Sequence, residues 1–461
     1  MKYDNICMSK ETSLKDAMKL LDVTESGIIL ITKENKELLG VMTAGDIRKA
    51  ILNGANSDSI VENIMNKNPI SVEKGKEEEL CQNLERIKKL PEREPIRVPV
   101  LDENRKVIDM ISLIIHDNKK VKKSEENNSI KKVLVIGGAG YLGSVLIRKL
   151  LDKNCKVKVL DNLTYGDSSI KELYNHKNFE FYEGDIRNIH KIMESIKGVD
   201  AVIHLASIVG DPAGSINPQT TLESNYFATK ILVDICKHNQ INRFIFASTC
   251  SVYGAMGFEE TIDETSELNP VSLYAETKIK SEQAILKAVD SNFSPTIFRM
   301  ATLYGVSPRM RFDLVINLLT AKALSEKEIT IFGGNQWRPF LDVEDASEAY
   351  IKCLEAPIEK ISGEIFNIGG NENNYKLIEI GKKIKQLVPD ANLNIDENMQ
   401  DRRNYRVSCN KAENLLGFRP KKSVEEGIKE IIEAMNKKEI VNYKDEKYNN
   451  YEFLNKMLDK F

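Results

Sequence analysis

The chain has 461 residues, and its 66 Lys plus Arg against 69 Asp plus Glu leave a formal charge of −3. That length suits two or three domains, and the near-neutral balance excludes a general attraction to nucleic acid or to an anionic membrane surface. Seven cysteines, at 7, 81, 155, 236, 250, 353 and 409, form no C-x-x-C pair, so neither a zinc site nor a disulfide framework is expected. The opening MKYDNICMSKETS is too polar for a signal peptide, and no apolar run approaches the ~20 residues of a spanning helix. A reducing cytoplasm is therefore expected, with small molecules or other proteins as partners and no metal.

In chain order, SGIILITKENKELLGVMTAGDIRKAIL predicts a strand, a turn, a second strand and a helix. PIRVPVLDENRKVIDMISLIIHD repeats that order, which suggests an internal repeat within residues 1–117. This half resembles a tandem pair of CBS modules, with GVMTAGDI matching the strand-turn-helix signature of the first copy. The resemblance implies that Thr43 and Asp46 hold the ribose of an adenine nucleotide. VIDMISLIIHD in the second copy lacks the glycine and the Thr-x-x-Asp pair, so at most one such site is expected. The alternative is a dimerisation or scaffolding module in which Thr43 is a strand-end hydroxyl and Asp46 caps a helix.

The stretch DNKKVKKSEENNSI carries almost no apolar residues, and 118–130 reads as a solvated linker. Beyond it, in residues 131–461, the runs KKVLVI, KVKVLD, FEFYEGD, AVIHLA, RFIFAS and TIFRM alternate with helical patterns. That alternation predicts right-handed βαβ crossovers and a parallel sheet. KKVLVIGGAGYLGSVLIRKLL sets Gly137, Gly140 and Gly143 in a G-x-x-G-x-x-G turn between a buried strand and an amphipathic helix. The glycines allow a tight turn and close approach of backbone to a pyrophosphate, which the helix N-terminus attracts. Tyr141 and Leu142 lie inside the turn. Asp161, beside Asn162 at the end of the next strand, can accept from both ribose hydroxyls, and no arginine follows in DNLTYGD to meet a 2′-phosphate. NAD is thus expected over NADP. Asp185 and Ile186 suit an adenine contact, and Leu205 and Ala206 a wall beside the nicotinamide. His204, between AVI and LA, reads as a core histidine.

In NPVSLYAETKIKSEQAI, Tyr274 and Lys278 stand four apart on one helix face. An ammonium next to a phenol favours the phenolate, which could then take a proton from a substrate hydroxyl. IGGAGYLGS, Asp161, STCSVYG and YAETK together make residues 131 to about 435 resemble an extended short-chain dehydrogenase/reductase of the nucleotide-sugar epimerase and dehydratase family. The resemblance implies an α/β fold: a Rossmann doubly wound parallel sheet with a smaller C-terminal substrate-binding lobe, here preceded by the α+β tandem CBS module. It also implies Thr249 as the catalytic hydroxyl, Tyr274 as base and acid, and Lys278 as holder of the nicotinamide ribose.

Sugar 4,6-dehydratases of that family carry an Asp-Glu pair directly after the catalytic hydroxyl. Cys250 and Ser251 stand there instead, where they could touch the sugar but not readily supply an acid and a base for loss of water. By the same resemblance Arg338 in NQWRPFLDVEDA, and Arg403 or Arg402 in MQDRRNYRVSC, bind the nucleotide diphosphate. Arg309 and Arg311 line a loop near the sugar nucleotide, and Asn317 opens the cap region. Thr302 replaces the Asn of the family pattern RxFNxxG, and with IVGDPAGSINP and SPRMRFDLV the chain resembles a subgroup acting on bacterial surface sugars more than a housekeeping galactose epimerase. The expected activity is an NAD-dependent nucleotide-sugar epimerase acting by transient oxidation, most directly at C4, in a homodimer or higher oligomer. A 4-dehydrogenase releasing a keto sugar and a catalytically inactive NAD sensor are the alternatives.

Overall fold

The computed structural model describes residues 3–24, 27–43, 46–47, 50, 54–76, 96–113, 130–255, 257, 261–290, 292–397 and 403–458. The chain divides into two compact units, which meet between Asn128 and Ser129. The expected linker 118–130 lies outside the described residues except for Ile130.

The first unit holds two three-stranded sheets of one design. Strand β1 (Cys7–Met8) runs parallel to β2 (Ile28–Thr32), which pairs antiparallel with β3 (Leu38–Thr43). Likewise β4 (Val72–Glu73) runs parallel to β5 (Ile96–Leu101), which pairs antiparallel with β6 (Val107–Leu113). Even the register break recurs, at Ile31/Thr32 and at Val100/Leu101. Alternate residues of β2 serve two cores: Ile29 and Ile31 pack with Leu14 and Ala17 of the helix Leu14–Thr24, and Ile28 and Leu30 with Leu38, Val41 and Leu101.

The second unit is built on a seven-stranded sheet. Its strands are β7 (Lys132–Ile136), β8 (Lys156–Asp161), β9 (Phe179–Glu183), β10 (Ala201–His204), β11 (Arg243–Thr249), β13 (Ser294–Met300) and β17 (Glu364–Ile368). Their order is β17-β13-β11-β10-β7-β8-β9 and every pairing is parallel. The run VLVI in β7 is apolar throughout because helices cover both faces. Val133 and Val135 face one core with Val157, Ile203 and Ile245, and Leu134 and Ile136 face the other with Leu160, Val202 and Phe246. The chain reverses its winding direction between β7 and β10, and the crevice at their carboxyl ends is where such sheets bind ligands.

A smaller lobe follows. It contains β14 (Thr302–Tyr304), β15 (Glu328–Phe332), β16 (Trp337–Asp342), β18 (Asn374–Lys376) and β19 (Asn392–Asp396), with the helices Val315–Glu326, Leu377–Leu387 and Val424–Asn436. Its core joins Ile316, Phe340, Ile380 and Ile428 to Tyr141 and Val145 of the glycine-turn helix. The short pair β12 (Thr261–Ile262) and β20 (Arg406–Val407) fastens the late segment beside β11. The doubly wound sheet with a C-terminal lobe is the architecture expected from the sequence.

Candidate active site

The glycine turn is a cradle that side chains would fill. Gly137 has φ +89°, and a Cβ there would lie 2.6 Å from the Ala206 nitrogen. At Gly143 a Cβ would lie 2.3 Å from the Gly137 carbonyl oxygen, so the helix Tyr141–Asp152 meets its strand at a distance only glycine allows. Asp161 ends β8 with its carboxylate accepting from the Ala139 N–H at 3.0 Å and the Leu163 N–H at 2.9 Å. Burial pushes that carboxyl upward against those bonds and the nearby Arg309 charge. Leu205 and Ala206 both donate backbone N–H groups to the Ile136 carbonyl at 2.9 Å, which sets them against Gly137. Asn162 donates to Asp185 at 3.4 Å, and Asp185 also holds Arg187 through both carboxylate oxygens. Ile186 is buried beside it. A glycine turn at a helix N-terminus with a carboxylate at the next strand end fits a dinucleotide.

At the end of β11, Thr249 accepts from the Ser251 N–H at 3.1 Å, and its hydroxyl acts on the Tyr274 phenol in the direction that lowers its pKa. Tyr274 lies in the first turn of the helix Leu273–Lys287, whose cap Ser272 accepts from Ala275 and donates to Asp211 at 2.6 Å. The Lys278 ammonium donates to the Ala247 carbonyl at 2.8 Å and sits 4.7 Å from the Phe246 ring and 5.8 Å from the Tyr274 ring. The expected depression of the Tyr274 phenol is not what the fold alone produces. Burial pushes it well above its usual value and Asp211 adds to this, while Arg311 and the Thr249 hydrogen bond oppose it. Burial also pushes Lys278 down to about 7, against the pull of Glu282. His204 is buried, bonded through Nε2 to Thr229 at 2.9 Å, and held neutral because burial and the Lys278 charge push it down to about 3.

Two expected substrate contacts sit otherwise than anticipated. Cys250 is 1% exposed and its thiol donates to the Arg299 carbonyl at 3.3 Å. It packs with Val252, Tyr253, Tyr405 and Cys409, and burial raises its pKa well above the usual thiol value. Asn317 is fully buried: it accepts from the Gly305 N–H and donates to the Tyr141 hydroxyl and the Arg311 carbonyl. Both side chains turn inward, and other parts of the chain meet their polar groups. Ser251 is buried too, with its hydroxyl 3.4 Å from the Tyr405 hydroxyl.

The late arginines converge on the same side. Arg338 of β16 bonds the carbonyls of Trp337 and Arg403 and lies 5.1 Å from the Tyr405 ring. Arg403 pairs with Asp211 at 3.1 Å; its competitor Arg402 lies outside the described residues. Arg311 forms a forked pair with Asp313 at 2.8 and 2.9 Å. Arg309 stacks 4.0 Å from the Tyr165 ring. Sequence reasoning passed over Asp211 and Tyr405, which connect the Tyr274 helix to the arginines. The signal for Asp211 was Asp-Pro after Gly210, a helix-start pattern in IVGDPAGS; Tyr405 carried none.

In the first unit Thr43 donates to Asp46 through its backbone N–H at 2.9 Å and its hydroxyl at 2.7 Å, and Asp46 N–H returns a bond to Thr43 at 3.3 Å. A cleft of about 430 Å³ opens beside them, lined by Asp46, Ala50, Ala55, Ser59, Ile60, Asn63 and Ile64. Among the described residues no cluster of His, Cys, Asp and Glu could hold a metal, and no helix is long and apolar enough to cross a membrane.

Comparison with known proteins agrees with this geometry. The model of the NAD dependent epimerase/dehydratase family matches residues 133–369, more than half of the chain, and the CBS domain model matches residues 1–53. The chain is 29% identical to human dTDP-D-glucose 4,6-dehydratase over 72% of its own length and 95% of the relative's. It is 32% identical to a putative UDP-glucose 4-epimerase of Methanocaldococcus jannaschii, over 66% of this chain and 98% of that one. Among solved structures, a UDP-glucuronic acid 4-epimerase of Bacillus cereus in complex with UDP-glucuronic acid and NAD superposes with a TM-score of 0.59. That match is at 28% identity and covers 66% of this chain and 99% of that one.

Proposed function

The chain belongs to the NAD-dependent epimerase/dehydratase family, and on that premise we propose that it is a nucleotide-sugar epimerase. The observation that carries this reading is Cys250. It occupies the place where the dehydratases carry an acid, yet its thiol is buried, protonated and spent on a backbone carbonyl. A site without that acid suits oxidation and reduction of a sugar carbon with no loss of water.

Bound NAD would supply the hydride chemistry, as acceptor from that carbon, most directly C4, and donor back to its other face. Gly137, Gly140, Tyr141, Leu142 and Gly143 would hold its phosphates and Asp161 its adenosine ribose, with Asn162, Asp185, Ile186, Leu205 and Ala206 along its length. Tyr274 moves the proton of the sugar hydroxyl, and the Thr249 hydroxyl, which acts on the same phenol, orients the reacting oxygen. The phenol reaches the anionic form only with positive charge beside it. In its protonated form Lys278, 5.8 Å from the Tyr274 ring, would supply that charge together with the helix N-terminus. Lys278 would also hold the nicotinamide ribose. Arg338, Arg403 and Arg311 are proposed to bind the nucleotide diphosphate, with Ser251 toward the sugar. The first unit is proposed to receive an adenine nucleotide beside Thr43 and Asp46.

The test is incubation of the purified protein with UDP- and GDP-sugars, following NADH absorbance and sugar configuration together. An inverted sugar without net NADH supports the epimerase. Stoichiometric NADH with a released keto sugar would make it a dehydrogenase, and a product lighter by one water a dehydratase.

A further inference from the structure

The helix Asn450–Leu458 comes from the far end of the chain, yet it settles on the dinucleotide crevice. Its Phe453 ring lies 5.3 Å from Tyr165, in the loop that follows Asp161. The same helix packs against Asp211–Ile216, whose Asp211 is bonded to the cap of the Tyr274 helix. Nine helical residues extend about 13 Å at 1.5 Å each, so one element bridges the ribose end and the catalytic end of the crevice. Its root is well anchored: the Tyr448 carbonyl accepts from the Phe312 N–H at 2.8 Å, the two rings meet edge to face at 5.6 Å, and Asn450 N–H donates to Asp313 at 3.3 Å.

Arg309 is the residue this helix pins. Its guanidinium lies over Tyr165 at 4.0 Å and donates from Nη2 to the Asn450 side chain at 2.7 Å, with a longer contact of 3.5 Å to the Lys447 carbonyl. It is 7% exposed, and its Nε–H has no hydrogen-bond partner among the described residues. A buried guanidinium edge left unsatisfied is costly unless something fills it. The backbone places it suitably. Ser307, which accepts from the Arg309 N–H, donates to the Tyr141 carbonyl at 2.7 Å and lies 3.1 Å from the Ser144 hydroxyl, both in the first turn of the glycine helix. Its charge also reaches Asp161. The guanidinium therefore stands between the helix N-terminus, where a pyrophosphate binds, and the carboxylate that meets the ribose.

We propose that Arg309 binds the diphosphate of the dinucleotide through its unpaired edge, and that the helix Asn450–Leu458 is a clasp that holds Arg309 there and retains the cofactor. This moves Arg309 from the sugar-nucleotide side to the cofactor side. Burial and the neighbouring Arg311 push its pKa down to about 10, so it is still charged at neutral pH, and a bound diphosphate would offset both effects. The inference rests on the dinucleotide reading of the glycine turn and not on which sugar reaction follows.

The test uses the full-length chain stripped of nucleotide and reads the fluorescence of NADH bound to it, with ADP-ribose and adenosine as competitors. Arg309→Lys and Arg309→Ala are expected to weaken NADH and ADP-ribose by about 10- to 100-fold, the worth of a charge-assisted hydrogen bond, and adenosine by less than about twofold. Asn450→Ala, which leaves the guanidinium in place but unpinned, is expected to speed NADH release about fivefold. Unchanged NADH affinity in folded Arg309→Lys, or equal losses for adenosine and ADP-ribose, would overturn the phosphate contact. An unchanged release rate in Asn450→Ala would overturn the clasp. No NADH binding by the unaltered protein would instead overturn the dinucleotide reading beneath both.

Discussion

Thr249 and Cys250 are neighbours with opposite fates, and the difference is one of side-chain direction at a strand end. Thr249 closes β11 with its hydroxyl toward Tyr274, whereas Cys250 begins the following turn with its thiol against the Arg299 carbonyl. Tyr274→Phe is therefore expected to lower kcat by at least ~100-fold, the usual worth of a positioned proton-transfer group, with little change in melting temperature. Cys250→Ala is expected to keep kcat within about twofold and to lose stability by roughly 1–3 kcal/mol, since it leaves a small cavity and an unmatched carbonyl. Steady-state turnover and thermal melts of the two variants read this contrast; a hundredfold loss in Cys250→Ala would place the thiol in the chemistry. The motif residues were legible in the sequence through the spacing of Tyr274 and Lys278 and through the family resemblance, which alone pointed to Thr249. The inward turn of Asn317 and Cys250 was not, because it depends on partners far along the chain, Gly305 and Arg299.

At the scale of elements, the strands and the glycine turn were readable from apolar runs and helix-start patterns, and the seven parallel strands follow from them. What the pattern did not reveal is how the lobe grips the sheet. Asp342, at the end of β16, caps the helix Val343–Glu355 by accepting from the Glu344 N–H at 2.8 Å. Burial pushes its carboxyl up to about 7, although Lys422 stands 3.8 Å away. An unfolded Asp titrates near 3.9. The folded state thus holds this proton to higher pH than the unfolded one. The resulting contribution to stability is full below about pH 4 and is lost as pH rises through about 7. Asp342→Asn keeps an acceptor for the cap without the titration. Denaturation at pH 5 and pH 8 should show the variant gaining on the unaltered protein as pH rises; a constant difference would contradict the buried-acid account.

Across the whole molecule, the repeat in residues 1–117 was visible as two similar runs, and the two sheets of identical pairing give it a structural form. The Thr43–Asp46 pair satisfies itself reciprocally, which is equally the geometry of a helix cap and of a ribose site awaiting its ligand. Calorimetry of the full chain with AMP and ATP separates these: binding heat that Asp46→Ala removes supports the nucleotide site, and none in the unaltered protein supports a scaffold. The C-terminal helix was the least legible part. Its sequence, NYEFLNKML, reads as an ordinary amphipathic stretch, and only the fold brings it to Tyr165 and Arg309.

The proposed epimerisation oxidises and re-reduces a sugar carbon within one enzyme, with no water lost. The most direct measurement uses a nucleotide sugar carrying deuterium at C4 and follows the label by mass spectrometry and NMR. The account predicts that the inverted sugar retains deuterium at C4 and keeps the mass of the substrate. Deuterium collecting in free NADH, or a product lighter by one water, would contradict it.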